Sequence, residues 1–147
     1  MERYDIIFFK SNTLTGKIIS FITRSKYCHV GLYFENNTIF DINIGRNSRF
    51  NKIKNYSNLE IYRVNGIINN YNAQKWIYEH YNLKYDIGEV LKFIFKINTS
   101  DDDNKFICST LVLDFIKNCT NIVIPENTYI ISPQDLIDLN LVLKIDK

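Results

Sequence analysis

The chain has 147 residues, 46% hydrophobic and 14% aromatic, which suits one packed domain and excludes a disordered segment. A formal net charge of +2, with the basic residues scattered, leaves no electrostatic footprint for nucleic acid. Three cysteines, far apart and without a C-x-x-C pair, argue against a disulfide framework or a cysteine-rich zinc site and point to a reducing cytoplasm.

Met1 to Asp5 is polar and charged and leads into only four apolar residues, Ile6 to Phe9, too short for a signal peptide or a membrane span. Asp5 to Lys10 reads as a first buried strand. Ser11-Asn12-Thr13 can cap a helix carried by Leu14, Ile18, Phe21 and Ile22. Tyr27 to Phe34, rich in aromatic and β-branched residues, reads as a strand, with the polar turn Glu35–Thr38 joining it to a returning strand over Ile39–Ile44. Gly45 to Asn58 is polar and basic with few regular signals and is expected to be a long loop. Leu59–Val64 alternates as a further strand.

The second half is helical in period. Asn70 to Tyr81 places Ala73, Trp76, Ile77 and His80 on one face, with His80 expected at the helix surface or the core edge. Ile87, Val90, Leu91, Ile94 and Phe95 mark a second helix, followed by a loop over Asn98–Asn104. Its Asp101–Asp103 run lacks the alternation and central glycine of an EF-hand. Ile107 to Asn118 forms a helix burying Leu111, Val112, Phe115 and Ile116. Ser132-Pro133-Gln134-Asp135 is a capping box opening a short helix, and Leu141–Ile145 is a last strand or extended tail. Without repeat, linker or break in composition, residues 1–147 read as a single α+β domain.

Three residues can carry chemistry. His29 lies on the Tyr27–Phe34 strand, sharing a face with Gly31 and Tyr33, and Gly31 beside it leaves room for a backbone or a substrate. Cys108 opens a helix, where the dipole and the first backbone N–H groups favour a nucleophilic sulfur, and the N–H groups of Cys108 and Ser109 could hold an oxyanion. Asp41, between Phe40 and Ile42 on the returning strand, could orient the imidazole; a turn centred between Asn36 and Asn37 sets it near position 32. Each has a plainer reading: a structural histidine, a buried cysteine and a solvent-facing acid. Cys28 points to the opposite face from His29. Cys119 lies about 16 Å along the helix from Cys108, so both are expected to be small core residues.

Taken together, these pieces resemble the circularly permuted branch of the NlpC/P60 superfamily, a papain-like group that includes lecithin:retinol acyltransferase-like proteins and a poxviral set. Tyr4-Asp5-Ile6-Ile7-Phe8-Phe9 looks like that family's opening strand, with tyrosine where glycine is usual. His29-Val30-Gly31-Leu32-Tyr33 looks like its histidine segment, and Phe106-Ile107-Cys108-Ser109-Thr110-Leu111-Val112 like its nucleophile helix. Tyr85-Asp86 and Ser132-Pro133-Gln134-Asp135-Leu136 also fit. Thr110 departs from the pattern, standing where an acid often follows Cys-Ser. The abundance of Ile, Asn, Lys and Tyr suits an AT-biased viral genome.

The resemblance implies a permuted papain-like fold, a small antiparallel sheet packed against helices. It implies a Cys108–His29–Asp41 triad acting through a thioester on an amide or ester acyl bond, without metal or organic cofactor. The expected substrates are acyl-lipid, N-acyl or peptide, with hydrolysis or acyl transfer both open. Peripheral membrane contact and a place in host cytoplasm or virion are compatible with it. A peptidase or isopeptidase, and a non-catalytic viral binding or virion protein on the same fold, are the alternatives.

Overall fold

A computed structural model describes residues 1–10, 20–21, 24–53, 58–86, 105–126, 128 and 132–145. Its centre is β1 (Ile6–Phe9), whose four residues are all buried because the strand has a neighbour on each edge and apolar side chains over both faces. β1 pairs antiparallel with β2 (His29–Tyr33), from Ile6↔Leu32 to Phe9↔His29, and with β5 (Leu59–Val64), from Ile6↔Tyr62 to Phe9↔Leu59. β3 (Thr38–Asn43) and β4 (Arg46–Lys52) extend the sheet beyond β2, and β8 (Val142–Lys144) closes the other edge beside β5. The result is a six-stranded, wholly antiparallel sheet in the order β4-β3-β2-β1-β5-β8. A two-stranded parallel pair, β6 (Lys84–Tyr85) and β7 (Lys105–Phe106), adjoins β4 through bonds between Ser48 and the Asn82–Leu83 backbone.

The helices cover one face. α1 is Asn70–Glu79, α2 is Cys108–Cys119 and α3 is Pro133–Asp138. α2 lies on β2 and β3 and packs against α1 and α3. Its buried side is Leu111, Val112, Phe115 and Ile116, as the helical period predicts, and each such side chain contributes about 1.5–3 kcal/mol on leaving water. These residues share a core with Phe8, Val30, Leu32, Phe40 and Ile42 from the sheet. The opposite sheet face carries a second cluster of Ile7, Phe9, Ile39 and Ile61.

Most expected elements occur, with shorter bounds. The strand expected over Tyr27–Phe34 spans His29–Tyr33, and its hairpin turns through Asn36 and Asn37, both at positive φ, a conformation asparagine tolerates. Ser132 opens α3, its N–H donating to Asp135 Oδ2 at 2.8 Å. Tyr4 adopts the left-handed backbone, at φ 72°, and its ring packs 5.5 Å from Phe115. The helices expected from Leu14 and from Ile87, and the loop with the acidic triplet, fall wholly or mostly outside the described residues.

Gly45–Asn58 is not one long loop. Asn43 pairs with Arg46 across the two-residue connection Ile44-Gly45, Gly45 taking φ 73°, and Arg46–Lys52 runs back along β3. As an edge strand it is exposed except at Ser48 and Asn51, so it has no apolar alternation to announce it. Its order comes from the β3 ladder and not from side-chain burial.

Candidate catalytic site

His29 opens β2 and Asp41 lies near the end of β3, so the antiparallel hairpin brings both to one end of the sheet. The observed pairs are Leu32↔Phe40 and Tyr33↔Ile39, one residue away from the register that a turn centred between Asn36 and Asn37 implies. A one-residue slip exchanges the faces of a strand. With the observed register Asp41 shares a face with His29 and Gly31 and sits diagonal to the imidazole. The space over Gly31 receives Asp41 itself, not a substrate: a Cβ added at Gly31 would stand 3.0 Å from Asp41 Cβ.

The Asp41 carboxylate is 3% exposed, and a buried charge needs partners. Oδ2 lies 2.7 Å from His29 Nε2, and Oδ1 accepts from Asn51 Nδ2 at 2.5 Å. Asn43 Nδ2 adds a longer contact at 3.4 Å. The Phe9 ring lies 5.5 Å from the imidazole and tilts 30° to it, limiting how the ring can swing.

Cys108 is the first residue of α2, following Ile107 in extended backbone (φ −98°, ψ 168°). The helix starts there because Thr110 Oγ1 accepts the Ile107 N–H at 3.0 Å, half of a capping box. That is the local job of the threonine standing where an acid was expected. The Cys108 sulfur is half-buried and close enough to the His29 ring to help raise its pKa. With Nε2 taken by Asp41, Nδ1 is the nitrogen left for it. Burial alone would push the imidazole down, but Asp41 and then Cys108 outweigh it and raise the group from 6.5 to about 10. Ser109 is fully buried in the same first turn.

The structure therefore brings together all three residues singled out in the sequence. It adds Asn51 and Asn43, which the sequence reading missed. The Asp41-x-Asn43 spacing carried a signal for Asn43, since alternate strand residues share a face. Nothing short of recognising β4 could have found Asn51. The other two cysteines stand apart: Cys28 donates to the Phe9 carbonyl at 3.3 Å, and burial pushes the Cys119 thiol up to about 12. His80 caps α1, stacked on Trp76 with ring centres 4.1 Å apart. Its Nε2 lies 3.1 Å from Asp114 Oδ2, which also accepts from Trp76 Nε1 at 2.6 Å, so the group ties α1 to α2.

Fold and site define a class: an α+β chain with a six-stranded antiparallel sheet, helices on one face, and a Cys–His–Asp constellation where a helix start meets the sheet end. The chain is similar to the solved structure of metalloprotein yiiX from Escherichia coli O157:H7, described as DUF1105. The identity is 18%, over 99% of this chain and 97% of that one, with a TM-score of 0.70. No family model and no curated protein matches. The expected membership of the permuted NlpC/P60 group is therefore corrected: no family match supports it, and the structural neighbour is described otherwise. The segments behind that resemblance encode a buried strand, a hairpin and a cysteine at a helix start, features that unrelated families also meet. Among the described residues no helix is long and apolar enough to cross a membrane.

Proposed function

We propose that the chain is a cysteine-dependent hydrolase or acyltransferase acting through Cys108, His29 and Asp41 on an amide or ester acyl bond. The observation that carries this is the imidazole held at 2.7 Å by a buried carboxylate on one nitrogen while a helix-start cysteine partners the ring. In the finer reading the fold is papain-like, with histidine and acid preceding the nucleophile along the chain. The Cys108 sulfur, its proton passed to His29, attacks the acyl carbonyl. Backbone N–H groups in the first turn of α2, including that of Cys108, face the oxyanion, with Ser109 beside it. His29 then returns the proton to the leaving alcohol or amine, and water or a second acceptor resolves the thioester. Asp41 holds the tautomer and orientation of the ring, and Asn51 holds Asp41.

Acyl-lipid, N-acyl and peptide substrates all fit this chemistry, in a cytoplasmic setting with peripheral membrane contact. The neighbour is described as a metalloprotein, and a metal is no part of this proposal. Among the described residues no group of three or more His, Cys, Asp or Glu side chains could hold one, and the Asp41 oxygens are committed to His29 and Asn51. Zinc at one equivalent in purified protein, lost with Cys108→Ala, would overturn that reading.

A thiol-directed acyl probe tests the proposal. Cys108 should label in the native protein, and Cys108→Ala or His29→Ala should abolish labelling. Labelling of all three cysteines only after denaturation would refute it.

A further inference from the structure

Two arginines on β4 stand beside the triad. In the sheet register Arg49 lies directly across from Asp41, and Arg46 across from Asn43. Both are exposed, and among the described residues neither forms an ion pair with a carboxylate. Several other cations on or near the sheet are answered by carboxylates: Arg63 pairs with Asp5 and Glu2, while Lys10, Lys26 and Lys144 converge on Glu60. The acid nearest the β4 arginines in the register is Asp41, whose oxygens are already taken. Arg49 is also held in place: its Nε donates to Asn51 Oδ1 at 3.1 Å, and Asn51 in turn donates to Asp41 Oδ1. That bond fixes which end of the amide faces Asp41. The two terminal amino groups of the guanidinium make no bond to a carboxylate among the described residues and remain as donors.

Charge on an edge strand commonly just blocks strand pairing. An exposed charge needs no tether for that role, and this guanidinium is tied to Asn51, which holds Asp41, so it offers a planar fork on the strand next to the triad's carboxylate. Such a fork matches a carboxylate or a phosphate group.

We propose that Arg49, with Arg46 beside it, forms an anion subsite, so that the acyl substrate carries a carboxylate or phosphate a few bonds from the scissile carbonyl. This rests on the acyl-transfer reading of Cys108 and narrows its substrate class. The test compares aryl esters of glutaric acid, 4-phosphonobutyric acid and neutral pentanoic acid on the full chain. The wild-type protein should favour at least one anionic ester over the pentanoate by about 10-fold or more in kcat/KM, as expected for one charge-assisted bond. The preferred arm tells carboxylate from phosphate. Arg49→Gln should collapse the ratio towards one, Arg49→Lys should restore only part of it, and Lys52→Gln, on the opposite face of β4, should keep it. An unchanged ratio in Arg49→Gln, with Cys108-dependent turnover present, overturns the subsite and leaves the catalytic reading intact. If no ester shows Cys108-dependent turnover, the catalytic reading fails. The subsite is then decided by calorimetric titration of Cys108→Ala with glutarate and with inorganic phosphate. Saturable binding that Arg49→Gln removes supports it, and no binding overturns it.

Discussion

Replacing Asp41 with asparagine tests the electrostatic centre of the site. The substitution keeps the shape and an oxygen within reach of His29 Nε2 but removes the charge. In the wild-type protein the imidazole is raised from 6.5 to about 10, burial opposing and Asp41 and Cys108 overcoming it. Loss of an opposite charge at 2.7 Å should lower it by about 1–3 units. With two histidines in the chain, ring-proton NMR resolves both, and the His80 signal serves as internal comparison. The effect on stability has a definite sign. A group whose pKa is raised on folding stabilises the native state fully below its unfolded value, about 6.5, and loses that contribution as pH climbs through about 10. The variant should therefore lag the wild-type protein most in mildly acidic solution, the gap narrowing as pH rises towards 10. Wild-type His29 titrating at its ordinary value, or equal titration in both proteins, would refute the Asp41–His29 coupling.

Other consequences can be measured alongside. Gly31→Ala forces a methyl against Asp41 Cβ at 3.0 Å and the Phe40 carbonyl at 3.3 Å; urea unfolding should report a loss of about 1–3 kcal/mol, and probe labelling of Cys108 should slow. Asp114→Ala strips the acceptor from Trp76 Nε1 and His80 Nε2 and should cost about 1–3 kcal/mol in the same assay. In the wild-type protein burial would raise Asp114, but His80 and Trp76 hold its pKa below the usual 3.8. Its contribution is thus complete above that value and lost only as pH falls through the lower folded one, so Asp114→Ala should unfold at higher pH in an acid titration. Cys119, with its thiol raised by burial, should resist alkylation in the native state and react only after unfolding; native labelling at Cys119 would contradict its packing.

Periodicity and local chemistry determined much of this protein before any coordinates. A continuous apolar run marked β1, aromatic and β-branched content and a polar turn marked β2 and β3, alternation marked β5, and the 3.6-residue period marked the buried side of α2. The Ser132–Asp135 box marked the start of α3, because such signals depend only on which face a side chain must bury or which N–H it must satisfy. Sequence also named His29, Cys108 and Asp41, residue types whose positions on a strand or at a helix start already suggest chemistry.

Tertiary structure alone decided how they meet. The hairpin register moved by one residue and so put Asp41 on the face of His29, a choice made by ladder pairing and core packing around Phe40 and Ile42. β4 was illegible because an exposed edge strand needs no apolar pattern; its order is borrowed from β3, and with it came Asn51 and the two arginines at the rim. A contact between residues 79 positions apart, Cys108 and His29, depends on how a helix seats against a sheet, and no local rule in either segment contains that information.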